Sequence, residues 1–154
     1  MNTPFVIDSC ALMNACQHYS MTSRTFSPIW ETFEEMISKG QLVSSSEVLE
    51  EIKDDELSKW AKKHRKFFLP LTKEIQDETK EILKLYPELI QMRSLRNSNA
   101  DPFLVATAYV IKGTVVSDEK LGDEKSRQFK IPNVCNAKGI PCIKLNDFIR
   151  EIMP

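Results

Sequence analysis

The sequence predicts an α/β fold, a three-layer α/β/α sandwich around a mostly parallel sheet. Two observations carry this. Short runs rich in strand formers, "PFVID" (4–8), "QLVSS" (41–45), "TVVS" (114–117) and "IPCIKL" (140–145), alternate with longer stretches of helical spacing. Such alternation implies parallel neighbours joined by right-handed crossovers, with helices on both faces. In addition, 154 residues, 42% hydrophobic and 28% charged, suit one core and therefore a single domain over residues 1–154.

The elements follow in order. "PFVID" is apolar until it stops at an acid, as a buried parallel strand does. In "SCALMNACQHY", Leu12, Cys16 and Tyr19 sit three and four apart, so a helix follows. "SPIWETFEEMISKG" is the next, with Ser27 as cap, Pro28 in the first turn and Gly40 past the end. After the strand "QLVSS", "SSSEVLEEIKDDE" opens a helix, with Ser44 and Glu47 in capping-box spacing. The chain then reads as helical to about residue 92, broken near Pro70 and Pro87. "DPFLVATAYVIKG" places Pro102 inside a helix start and Gly113 beyond its end. "TVVS", a short helix "NVCNAKG", the strand "IPCIKL" and a helix "NDFIREIM" complete the chain.

Bulk properties exclude several classes. A formal net charge of -1 gives no overall attraction to nucleic acid or anionic membrane, so a polyanion partner has to use a local patch. No apolar run approaches the roughly 20 residues of a membrane span. "MNTPFVIDSC" lacks the basic and long apolar segments of a signal peptide, which points to the cytoplasm. Cys10, Cys16, Cys135 and Cys142 are not paired as CxxC, and His18 and His64 do not complete a zinc site, so reduced thiols are expected.

The positions of the acids carry the functional signal. In a parallel sheet, strand ends and the starts of following helices share the carboxyl edge, where ligands bind. Asp8 ends the first strand and Glu47 opens the helix after the second. Asp101 opens the helix leading to the third, and Asp118 and Glu119 follow that strand. Each alone is explained by capping or the helix dipole. Together, acids from four segments at one edge need cations, and hard oxygen donors suit Mg²⁺ or Mn²⁺. Such ions activate water and stabilise phosphoryl transfer.

"FVIDSCAL", "SSSEVLEEI", "NADPFLVATA" and "VVSDEK" resemble, in this order, the four motifs of the PIN domain. The helical insertion and the tail "KIPNVCNAKGIPCIKLNDFIREI" look like the PIN-like subfamily DUF4411. The resemblance implies a metal-dependent endoribonuclease of the VapC-toxin type, with RNA as substrate, a cognate antitoxin protein as partner, and homodimerisation. It also implies that Asp8, Glu47 and Asp101 are metal ligands. Ser117 stands where the family has a Thr or Ser two positions before the fourth acid. That puts Glu119 in register, with Asp118 adjacent as the alternative. Cys10 stands where the family often has Ser or Asn.

Charge segregates further along. Residues 47–56 hold six acids and one Lys, whereas "KWAKKHRKFF" (59–68) holds five Lys or Arg and no acid. Lys62 and Lys63, with Trp60 and Phe67 or Phe68, form a candidate clamp for phosphates and bases, or else a solvated basic face over a core stripe. Arg93 and Arg96 precede the Asp101 motif and are candidates for substrate phosphate. Glu51, one turn after Glu47, reads as an assisting acid or a solvated one. The competing readings are a catalytically weak or inactive PIN-like module that binds RNA or protein, and a receiver-like phospho-acceptor domain, whose order of acids fits poorly.

Overall fold

The computed structural model describes residues 3–90 and 100–154. Five strands form one sheet: β1 (Phe5–Ile7), β2 (Leu42–Ser45), β3 (Phe68–Leu69), β4 (Thr114–Val116) and β5 (Cys142–Ile143). Their order is β3-β2-β1-β4-β5 and every pairing is parallel. Among the described residues, eight α-helices connect and follow them: α1 (Ser9–His18), α2 (Ser27–Ser38), α3 (Ser46–Glu51), α4 (Asp55–Lys63), α5 (Lys73–Leu85), α6 (Ala100–Ile111), α7 (Ile131–Lys138) and α8 (Leu145–Ile152). The three-layer α/β/α reading of the sequence therefore holds.

The strand order locates the working edge. From β1 the chain winds outward through β2 to β3, then returns to β4 on the other side of β1. Right-handed crossovers put α1 to α4 on one face and α5 to α7 on the other. β1 and β4 flank the switch point, and the crevice of a doubly wound sheet opens there, at the carboxyl ends. On the first face Trp30 of α2 meets Trp60 of α4 at 5.1 Å between ring centroids. Phe148 of α8 packs on Phe5 at 4.8 Å and Phe33 at 5.7 Å. On the second face α6 is buried on most sides, through Ala100, Pro102, Leu104, Val105, Ala106, Thr107 and Ala108.

Several local expectations change. β3 is a fifth strand, only two residues long, that follows a 3-10 turn inside the stretch read as helical. Ser27 is the first residue of α2 rather than its cap; Phe26 precedes it and no side chain caps that end. The Ser44–Glu47 capping box does not form. Ser44 is fully buried and its hydroxyl donates to the Ile7 carbonyl at 2.6 Å, while Ser45 Oγ accepts from the Glu47 N–H at 3.3 Å. The four cysteines are free thiols.

Gly113 follows α6 for a reason other than turn geometry. The left-handed residue there is Lys112, with φ 57°. A Cβ on Gly113 would stand 2.8 Å from Val6 Cγ2 and 3.0 Å from the Pro4 carbonyl oxygen. The glycine lets α6 turn into β4 directly against β1. Gly113→Ala is expected to push β1 aside and cost about 1–3 kcal/mol of stability; urea unfolding of the two proteins measures it.

Candidate active site

Asp8 leaves β1 at the switch point and is 2% exposed. It caps α1, because its Oδ1 accepts from the Ala11 N–H at 2.7 Å. Its Oδ2 accepts from the Ser117 hydroxyl at 2.5 Å, a charge-assisted bond across to the end of β4. Ser117 is 1% exposed, and its Oγ in turn accepts from the Glu119 N–H at 3.1 Å. One hydroxyl thus fixes both the first acid and the loop that carries the last. Burial raises the Asp8 carboxyl to about 7, against the lowering by Ser117 and Ala11, and the charges of Glu119 and Asp118 push the same way as burial.

Asp101 lies in the first turn of α6, whose N-terminus reaches the same edge because α6 runs back toward the start of β4. Its carboxyl is pushed up to about 8, first by burial, then by the charges of Glu119, Asp8 and Glu51; Lys130 works against this. Glu119 is also raised, by burial first. Its Oε2 accepts from the Ile131 N–H at 3.1 Å, at the N-terminus of α7, so bond and helix dipole favour the ionised form. Lys130 lowers Glu119 and Glu51 raises it.

The acids differ in their surroundings. Glu119, not Asp118, is the largest charge acting on Asp101. Asp118 Oδ2 accepts from Asn14 Nδ2 at 2.7 Å and its Oδ1 from the Leu145 N–H at 2.9 Å, so its carboxylate ties α1 to α8. Among glutamates of α3, the charge felt by Asp101 and Glu119 is that of Glu51, at the helix end. Ser9 Oγ, at the start of α1, donates to Glu51 Oε2 at 3.3 Å. Glu47 lies one turn earlier, half-buried in the first turn.

The basic stretch at the end of α4 does not join this cluster. Lys62 and Lys63 are exposed in the last turn of α4, which enters β3 at its amino end, away from the acids. Their aromatic companions are core residues: Trp60 is 7% exposed, Phe67 1% and Phe68 7%. Stacking on bases is thereby removed from the clamp reading. Arg93 and Arg96 lie outside the described residues.

Two contributors, Lys130 and Asn133, were not legible as site residues. Lys130, which caps α7, is the cation acting on both Asp101 and Glu119. Asn133 is 1% exposed; its Oδ1 accepts from the Gly122 and Lys130 N–H groups at 2.7 and 3.0 Å, and its Nδ2 donates to the Gly122 carbonyl at 3.0 Å. It folds the loop that presents Glu119; an Asn in a helix first turn is a weak sequence signal. Cys10 faces the acids as a neutral thiol, raised to about 11 by burial and then by Asp8, Asp118, Glu119 and Asp101.

The donor set is one of carboxylate oxygens, which fits a hard divalent ion such as Mg²⁺ or Mn²⁺. Each Asp8 oxygen accepts a single bond and keeps a lone pair. Among the described residues, no group of three or more Asp, Glu, His or Cys is drawn together closely enough to hold an ion as it stands. Asp8, Asp101 and Glu119, with Glu47 or Glu51 of α3, are the residues that would close on one.

Residues 5–153 match the family described as "Domain of unknown function (DUF4411)", and the chain belongs to that family. Nothing among curated proteins matches it.

Two outcomes follow. Ser117→Ala strands an Asp8 oxygen in the interior and is expected to cost about 1–3 kcal/mol in urea unfolding. The second concerns pH. Asp8 and Asp101, raised from 3.8 to about 7 and about 8, hold protons in the metal-free folded state that the unfolded chain has released. Stability from these groups is complete below about pH 4 and lost as pH climbs through 7 and 8. The metal-free melting temperature should therefore fall between pH 5 and 8 by calorimetry; a rise over that range would contradict the assignment.

Proposed function

We propose that this chain is a PIN-like, Mg²⁺- or Mn²⁺-dependent endoribonuclease that hydrolyses RNA phosphodiesters. The observation that carries the reading is the state of Asp101, a carboxyl raised by burial and by three other acids brought in from β1, α3 and the loop after β4. Such a cluster is stable only when protons or cations neutralise it. A bound divalent ion would supply Lewis acidity toward the scissile phosphate and lower the pKa of an attacking water. The chain's own part is to aim oxygens at one point. Ser117 orients Asp8, Ile131 N–H holds Glu119, and α6 delivers Asp101. A carboxylate freed of its proton by the cation can accept one from the attacking water.

The resemblance of four motifs in order supports a further step: a type II toxin, with a cognate antitoxin that masks the crevice, and a homodimer. Among the described residues no helix is long and apolar enough to cross a membrane. One observation favours a second reading, a weakly active or inactive module that binds RNA or protein. The neutral Cys10 thiol stands beside the acids, where it is a poor hydrogen-bond partner for a cation's water.

Asp101→Asn is expected to lower Mn²⁺-dependent cleavage of a labelled RNA pool by about 10²–10⁴-fold, with EDTA abolishing wild-type cutting. Equal cutting by both proteins would sink the nuclease assignment. Mn²⁺ should also raise the wild-type melting temperature more at pH 8 than at pH 6, since ion and proton compete for Asp8 and Asp101.

A further inference from the structure

A cleft of about 660 Å³ opens beside the acid cluster, with Asp118 in its wall. It runs from the carboxyl edge, at Asp118, Lys144 and Leu145, down between α1 and α8 to His18 and Arg150 in their last turns. Asp118 is held in the wall by bonds from Asn14 and the Leu145 N–H, and the cleft sets its carboxylate and that of Asp147 against Lys144 and Arg150. The two walls are joined where the Tyr19 hydroxyl donates to Asn146 Oδ1 at 3.0 Å, which leaves the Asn146 amide NH₂ free to donate. Lys144 ends β5 on the rim, is exposed, and forms no ion pair among the described residues. Arg150 pairs with Asp147 at 3.6 Å, but both side chains are largely exposed, so water competes for the pair. His18 adds a further nitrogen-bearing side chain.

We propose that this cleft is a phosphodiester subsite, in which Lys144 and Arg150 hold phosphates of the strand that extends from the acid cluster and Asn146 donates to the same backbone. The proposal rests on the nuclease reading for the identity of the strand. A polynucleotide approaching clustered carboxylates is repelled by them, so its hold has to come from cations alongside. Lys144, after β5, shares the cluster's edge one strand over, and Arg150 lies further along the cleft, in the last turn of α8. Lys62 and Lys63 line no part of this cleft and lie by β3, at the opposite side of the sheet. With one Tyr ring already packed edge-on to Phe26 at 5.3 Å, contact is to backbone charge.

The test is fluorescence anisotropy of a short labelled single-stranded RNA, in EDTA and at low ionic strength so that nothing is cut. The proteins are wild type, Lys144→Ala/Arg150→Ala, Lys62→Ala/Lys63→Ala as a charge-matched control, and Lys144→Arg/Arg150→Lys as a charge-preserving variant, each checked by circular dichroism. The first double variant should bind about tenfold more weakly, and its plot of log affinity against log salt should flatten by about 1.4, for two lost phosphate contacts on a single strand. The control should bind as wild type and the charge-preserving variant nearly so. No wild-type binding, an unchanged first variant, or equal loss in the control would each overturn the cleft. Cleavage measured in parallel separates the two readings. Wild-type cutting without cleft dependence sinks only the subsite; cleft-dependent binding without any cutting leaves the subsite and sinks the nuclease.

Discussion

The structure depends on how one carboxylate is buried. Asp8 sits where β1 ends, beneath the crevice, and a charge there is costly unless it is hydrogen-bonded. Two elements hold the residue with three bonds: the first turn of α1 offers the Ala11 N–H, the end of β4 delivers the Ser117 hydroxyl, and the Asp8 N–H itself donates to the Val116 carbonyl at 3.1 Å. These bonds fix β1 against β4 at the one place where the winding direction changes. Ser117 then accepts from the Glu119 N–H, and the next residue back, Asp118, bridges α1 and α8. Four consecutive positions after Val115 therefore set the sheet register, the site and the docking of the last helix.

Those bonds do not neutralise the cluster. Hydrogen bonds lower Asp8, yet burial prevails and leaves it at about 7. Lys130 lowers Asp101 and Glu119, yet Asp101 still stands at about 8. A structural network would be expected to pair its acids with enough cations to ionise them all. Here Asp8, Asp101 and Glu119 are all raised by burial and by neighbouring acids, while Asp118 ties α1 to α8. Carboxyls crowded together beyond what their hydrogen bonds and Lys130 offset are what the site reading rests on.

Much of this was legible because topology converts sequence position into place. A strand end and a helix start mark the carboxyl edge, so Asp8, Asp101 and the pair at 118–119 could be gathered without coordinates. The choices that failed or stayed open share a physical origin. Glu47 and Glu51 are one turn apart on the same helical face, so spacing alone cannot say which meets Asp101; that depends on how α3 lies over α6. Asp118 and Glu119 are neighbours in an irregular loop, where no period assigns direction. β3 is too short for a pattern. The stripe of Trp60, His64 and Phe67 has one spacing whether it stacks on bases or on a core, and here Trp60 meets Trp30 and Phe67 lies 5.7 Å from Trp60 between ring centroids.

The near-neutral net charge conceals an arrangement. Acids occupy the centre of the carboxyl edge, Lys130 acts on them, Lys144 lies one strand outward with Arg150 further down the cleft, and a basic stretch lies toward the amino end of β3. Net charge governs long-range attraction, whereas recognition within a Debye length follows the local distribution. On the proposed reading the two parts divide the work. The flanking cations hold the polyanion whatever the metal supply, and the central carboxylates admit its phosphate only when an ion has replaced their protons. Binding and reaction would then answer to different residues, which is why removing Asp101 and removing Lys144 are not expected to produce the same protein.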